Sequence, residues 1–277
     1  MSLEYLNKKF DWQEPVIAEL FDELPLWSSY FGKILLDRIP LKQNMTVLDA
    51  GFGTGFPLIE IAQRLGSTST VYGIDKWEAA FNRAQRKLDT FKIDNVKLFK
   101  GSASEVPFAN DFFDFITANL VLNNLDEQDK AVSEFYRVLK PGGSLYLTSN
   151  LTGHMQEFYD IFSDTLTELN MGKCNDDLQK NIEHRLTIEI ISGKLQNAGF
   201  KNLNILQDKF YMRFADGSAL LNHSFIIIGF IDGWKNIIPD KDKTEFFTKL
   251  EESLNKYSKE KGELKLTIPM VFIEALK

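Results

Sequence analysis

Over the first half of the chain, short apolar runs alternate with stretches whose apolar residues recur at three- and four-residue spacing. "TVLDAG" (46–51) reads as a strand and Phe56 to Leu65 as a helix, with Pro57 near its first turn and Gly66 just beyond its end. "TVYGID" (70–75) is a second strand, and Trp77, Ala80, Phe81, Ala84, Leu88 and Phe91 form one face of a second helix. Strands follow at 96–101 and 112–119, then a helix near 127–140 that "KPGG" (140–143) stops, then a strand at 144–150. This rhythm predicts parallel strands joined by right-handed crossovers in an open α/β sheet.

After Asn150 the rhythm changes. Residues 153–181 read as helical, with Met155, Phe158, Phe162, Leu166 and Leu169 in one stripe, and 187–199 as a further crossover helix ended by Gly199. A strand is expected at 202–214, helices at about 217–236 and 242–260, and a final strand in "GELKLTIPMVFIEALK", whose apolar positions alternate. Pro269 interrupts that last strand and implies a bulge or an unpaired position, because proline donates nothing to a sheet ladder. The stretch 219–234 is apolar on more than one helical face, which fits a lid, a dimer contact or an apolar substrate pocket.

Length and a 44% hydrophobic content allow one substantial core with elaborations. The expected organisation is a single domain over 1–277, with an N-terminal helical cap (1–33) and a core (34–150). Helical insertions are expected at 151–187 and 215–261, and the remaining sheet at 188–214 and 262–277. A formal charge of -7 argues against a nucleic-acid partner, whose phosphates call for lysine and arginine. Cys174 is the single cysteine, which rules out an intrachain disulfide and a cysteine zinc cluster; no metal site is expected. The first thirty residues carry Glu4, Asp11, Glu14 and Asp22 and lack a signal-peptide apolar core, and no apolar run reaches membrane-span length. A cytoplasmic location is therefore expected.

The densest chemical signal is "VLDAGFGTG" (47–55), three glycines in five positions between a strand and a helix. Bare backbone there lets a ligand approach the main chain, beside the free N–H groups of a helix start. Asp75 stands at the end of the second strand, where a carboxylate can accept both hydroxyls of a ribose. A nucleoside cofactor follows, of one of two classes. A dinucleotide fingerprint wants glycine at position 56, which is Phe, and its pyrophosphate gains nothing from Asp49. S-adenosylmethionine, with its ammonium and sulfonium charges, does gain from an acid.

"VLDAGFGTG", "GID", "GSASEVPF", "FFDFITANLVLNNL" and "RVLKPGGSLYLT" resemble the successive motifs of class I S-adenosylmethionine-dependent methyltransferases, especially the type 11 branch that includes quinone-biosynthesis and small-molecule enzymes. The likeness covers roughly residues 34–150 in unbroken order. It implies a Rossmann-like fold with a mostly parallel seven-stranded sheet, helices on both faces and helical lids. It further implies that Asp49, Gly51, Gly53 and Gly55 hold the methionine portion, Asp75 the ribose, Lys76 and Trp77 flank the adenine, Ser102 and Ala103 meet its edge, and Asn119 and Leu120 line the methionine side. Two departures stand out: the family commonly has Asp where this chain has Ser102, and Phe52 replaces a frequently smaller residue. "NLVL" (119–122) stands where methyltransferases of DNA amino groups carry an Asn/Asp-Pro-Pro-aromatic run, so, with the acidic charge, a small-molecule acceptor is expected instead, and the stretch 219–234 leaves room for an apolar one.

His154, just after the fifth strand, is the candidate general base. Trp27, Tyr30, Tyr159 and His223 are candidates to line a substrate lid. For each a packing or capping role competes, as helix capping does for Asp75. The reading is a methyltransferase that converts S-adenosylmethionine to S-adenosylhomocysteine, with room for a homodimer. Two alternatives stay open: a non-catalytic S-adenosylmethionine-binding regulator, and an NAD(P)-dependent oxidoreductase.

Overall fold

The computed structural model describes residues 3–24 and 26–277. In chain order the elements are α1 (Pro15–Asp22), α2 (Leu26–Leu36), β1 (Thr46–Ala50), α3 (Leu58–Leu65), β2 (Thr70–Asp75), α4 (Glu78–Phe91), β3 (Val96–Lys100), β4 (Phe113–Asn119), α5 (Gln128–Val138) and β5 (Leu139–Asn150). They continue with α6 (Gln156–Glu168), α7 (Asn175–Glu183), α8 (Ile188–Asn197), β6 (Lys201–Phe214), α9 (Gly217–Leu221), α10 (Ser224–Gly229), α11 (Ile231–Lys235), α12 (Lys243–Lys261) and β7 (Leu264–Leu276). The seven strands are ordered β3-β2-β1-β4-β5-β7-β6. β1 pairs in parallel with β2 and β4, β2 with β3, and β4 with β5, whereas β7 runs antiparallel to β5. The expected mostly parallel, seven-stranded α/β fold is what the chain adopts. Winding reverses at β1, so a crevice opens between the carboxyl ends of β1 and β4.

Two compact units divide the chain, one of residues 11–150, 187–208 and 270–277, the other of residues up to 10, 151–186 and 209–269. In the first, Val47, Phe52, Leu58, Ile61, Val71 and Phe115 build a core around β1. Phe52 is fully buried there because Gly73 leaves the space: a Cβ at Gly73 would lie 2.7 Å from the Phe52 ring. Phe56 likewise fills the notch left by Gly32 of α2, where a Cβ would come within 2.3 Å of it. The strand predicted at 144–150 is assigned from Leu139, but the register with β4 jumps between Phe113 and Phe115, so the ladder resumes at Ser144. "KPGG" therefore ends α5 and bulges out of the sheet. Pairing of β7 with β5 starts at Met270, one residue past Pro269, so the missing N–H breaks no bond of that ladder.

In the second unit the long helix expected over 153–181 is two. α6 ends in a turn where Asn170 takes a left-handed conformation (φ 56°), and α7 begins after Cys174. The helix expected over 217–236 is α9, α10 and α11, interrupted at the extended His223 and at Phe230 (φ -134°). Its apolar residues face inward all round, with Trp234 stacked on Phe158 at 4.0 Å and His154 on Phe230 at 5.5 Å. Among the described residues no helix is long and apolar enough to cross a membrane.

Candidate functional site

β1 delivers Asp49 to the crevice, opposite Gly73 on β2 and Thr117 on β4. The short hydroxyl side chain of Thr117 meets the Asp49 carboxylate inside the sheet, while the space over Gly73 is taken by the Phe52 ring. Asp49 is completely buried; its Oδ1 accepts from the Thr117 hydroxyl at 2.5 Å, while Oδ2 has no hydrogen-bond partner among the described residues. Burial pushes the carboxyl up to about 7, the nearby Asp75 charge adds to this, and the Thr117 hydroxyl and Leu58 amide oppose it. An acid buried with an oxygen unsatisfied is costly for folding alone, so such a group invites a cationic partner.

Past Asp49 the chain turns through Gly51, Gly53 and Gly55 with φ of 71°, 53° and 111°, values that side chains resist. The three glycines differ in what surrounds them. A Cβ at Gly51 would meet Val121 at 2.5 Å across the crevice, one at Gly53 would meet nothing, and one at Gly55 would strike Ile59 of α3 at 2.7 Å. Gly55 thus serves the fit of the turn onto its helix.

Asp75 ends β2. Its Oδ2 accepts from the Gly53 N–H and its Oδ1 from the Trp77 N–H, each at 2.8 Å, so one carboxylate ties the glycine turn to the start of α4. The Lys76 amide also donates to this carboxylate, whose four lone pairs still leave room for a further donor. Burial raises the Asp75 carboxyl, and the backbone donors hold it down in part. Helix capping and ligand binding are compatible here.

A cavity of about 230 Å³ opens above these groups. Of the residues expected to bind a cofactor, Gly51, Asp75, Lys76, Trp77, Ser102, Ala103, Asn119 and Leu120 line it, and Asp49, Gly53 and Gly55 do not. Ile74, Gly101, Val121, Asn124 and Leu125 complete the wall. They fall within the quoted motifs "GID", "GSASEVPF" and "FFDFITANLVLNNL" without having been singled out, and their place in the wall follows from adjacency to β2, β3 and β4. Asn119 is fixed by the Thr148 hydroxyl at 2.6 Å and reaches the Ser28 carbonyl at 3.4 Å. Leu120 adopts φ 61°, an unfavourable conformation for leucine, held by its N–H to the Thr148 carbonyl at 3.1 Å. Ser102 accepts from the Ser104 N–H at 3.1 Å, a local turn bond that leaves its hydroxyl hydrogen for another acceptor. Lys76 is exposed and lies 3.6 Å from Asp126.

The remaining candidates lie elsewhere. His154 is buried in the helical unit and absent from the cavity lining; burial, with the Arg185 charge, holds its imidazole well below the usual histidine range, so it stays neutral and weakly basic. Tyr159 is buried in the same unit, donating to Asn181 at 3.1 Å and accepting from the Trp234 indole at 3.3 Å. His223 is exposed ahead of α10, with Phe214 edge-on at 5.4 Å. Trp27 packs on Phe31 in α2, and Tyr30 is exposed; neither lines the cavity. What the sequence reading passed over is Trp12, whose backbone carbonyl accepts from the Trp77 indole and whose ring meets it edge-on at 5.3 Å.

A family model described as a methyltransferase domain matches residues 41–216. A ubiquinone/menaquinone biosynthesis C-methyltransferase of Vibrio vulnificus is 31% identical over 188 residues, covering 64% of this chain and 70% of that protein. A demethylmenaquinone methyltransferase of Staphylococcus aureus is 34% identical over 138 residues, 50% of this chain and 54% of its own length. Among solved structures, a SAM-dependent methyltransferase from Aquifex aeolicus superposes with a TM-score of 0.54 at 23% identity, over 72% of this chain and 93% of that one.

Proposed function

The chain belongs to the class I S-adenosylmethionine-dependent methyltransferases, and from that premise we propose that it methylates a small, apolar acceptor in the crevice between β1 and β4. The observation that carries the cofactor assignment to this crevice is the buried Asp49, whose unsatisfied Oδ2 suits an ammonium group and offers nothing to a pyrophosphate. When bound, S-adenosylmethionine supplies a methyl group on a cationic sulfur, ready for in-line displacement.

The residues fit it in sequence. Asp49 balances the amino-acid charge, and the bare backbone at Gly51 admits it. Asp75 accepts from the ribose hydroxyls with the lone pairs that Gly53, Lys76 and Trp77 leave free. Lys76 and Trp77 flank the adenine, with Ser102 and Ala103 at its edge, and Asn119 and Leu120 wall the methionine side. The cavity volume is below the range of about 300–1,000 Å³ usual for small-molecule sites, which suits closure around the nucleoside part with the acceptor beyond it. Aligning the acceptor and excluding water then account for the chain's share of the rate, and no proton transfer is assigned to His154.

The quinone-directed names of the two relatives support a ring carbon of a phenolic or hydroquinone acceptor. The test is incubation with S-adenosylmethionine and a panel of short-tailed hydroquinones, simple phenols and polar amines, read by mass spectrometry. Methylation of the aromatic members is expected. Methylation confined to the amines overturns the acceptor class. Binding of S-adenosylhomocysteine with no turnover across the panel supports a regulator instead, and a melting temperature raised by NAD(P) alone supports an oxidoreductase.

A further inference from the structure

None of residues 11–24 lines the cavity, yet this segment touches the cofactor crevice at two points. One is the contact of Trp12 and Phe21 with Trp77, edge-on at 5.3 and 5.5 Å. The other centres on Asp22, the last residue of α1. A helix C-terminus is the wrong end for an acid, so α1 gains nothing from its charge. Asp22 instead accepts from Arg83 Nε at 2.8 Å and pairs with Lys87 Nζ, two cations four positions apart on one face of α4. Lys87 Nζ also donates to the Thr54 carbonyl at 2.9 Å, and the Thr54 hydroxyl bonds Asp22. Although burial opposes its ionisation, these donors hold the Asp22 carboxyl below the usual carboxylate range.

Thr54 is buried in the middle of the glycine turn, between Gly53 and Gly55. A turn built on glycines has many backbone conformations to lose, and this carbonyl is one fixed point within it. The side chains of Asp22 and Lys87 are 13% and 23% exposed, so solvent screens the pair less than an exposed one.

We propose that Asp22 and Lys87 are positioning residues for the glycine turn, so that docking of the N-terminal segment and binding of the cofactor are coupled. The proposal rests on the reading that this turn holds the cofactor. Coupling is reciprocal: what the docked segment gives to cofactor affinity, the cofactor returns to docking.

Hydrogen exchange and calorimetry on the full chain with S-adenosylhomocysteine test it. Saturating ligand is expected to slow exchange in residues 11–24 as well as 51–55. Lys87→Met is expected to weaken binding about tenfold, an effect typical of coupled contacts, with recovery in Lys87→Arg. A purely structural pair would lower the melting temperature without these changes. Should Lys87→Met fail to fold, Asp22→Asn takes the same two readouts. Ligand that protects 51–55 but leaves 11–24 unchanged, or a Lys87→Met affinity within about twofold of the parent, overturns the coupling alone. A parent chain that binds no S-adenosylhomocysteine overturns the cofactor reading with it.

Discussion

Replacing Asp49 by asparagine preserves the shape of the side chain and an acceptor for the Thr117 hydroxyl, while removing a charge that its surroundings disfavour. In the folded chain burial, with the Asp75 charge adding to it, raises the carboxyl from an ordinary 3.8 to about 7. An acid raised in this way contributes stability that is fully present below its unfolded value and lost as pH climbs through the folded one. At 1.36 kcal/mol per pH unit, ionised Asp49 costs the free protein about 4 kcal/mol above pH 8. The asparagine amide, unsatisfied where Oδ2 was, returns about 1–3 kcal/mol of that. The D49N variant without ligand is therefore expected to be more stable than the parent at pH 8 by about 1–3 kcal/mol in urea denaturation, the advantage disappearing toward pH 4.

Cofactor binding should show the opposite preference. An ammonium group selects ionised Asp49, so each pH unit below 7 costs about tenfold in S-adenosylmethionine affinity, about a hundredfold by pH 5, with one proton released per ligand. An α-amino group titrates near 8 and stays charged across that window, which leaves Asp49 as the group that changes. Calorimetry in two buffers of different ionisation heat counts the proton. Affinity that is flat from pH 5 to 7, or an unchanged slope in D49N, refutes the contact with the cofactor's cation; no gain in stability at pH 8 refutes the raised carboxyl.

Two other substitutions separate binding from folding. Asp75→Ala removes the acceptor shared by Gly53 and Trp77 together with the proposed ribose contact, and S-adenosylhomocysteine affinity is expected to fall at least about tenfold; unchanged affinity would make Asp75 a helix cap only. Gly55→Ala forces a side chain into φ 111° and toward Ile59, and is expected to cost about 1–3 kcal/mol in denaturant melts, whether or not ligand is present.

The parts of this molecule that local chemistry dictates were legible in its sequence. Strand and helix periods yielded the order of the sheet elements, and an acid before a glycine turn with a second acid after the next strand pointed to the crevice at β1. Long-range fits were not. Phe52 looks too large for its place until Gly73 is seen beneath it, and nothing local says that Phe56 fills the notch at Gly32. Lys87 reads as one more solvated helix lysine, because nothing local says that Asp22 and Thr54 meet it. The stretch 217–236 read as one helix because a segment apolar all round has no phase to betray its breaks at His223 and Phe230. His154 followed the fifth strand in sequence as a base might, but complete burial, with the Arg185 charge beside it, leaves it neutral and weakly basic.

The same division explains why the methyl donor is readable and the acceptor is not. A sulfonium is already activated, so transfer asks the protein for alignment and dryness rather than for a dedicated nucleophile or metal. Donor recognition needs charges and bare backbone at fixed spacing, which leave a motif. Acceptor recognition needs a shape, and shape comes from contacts between residues far apart in the chain, which leave no motif. A substitution that alters which acceptor is methylated is therefore expected to leave S-adenosylhomocysteine affinity and the Asp49 proton count as they were.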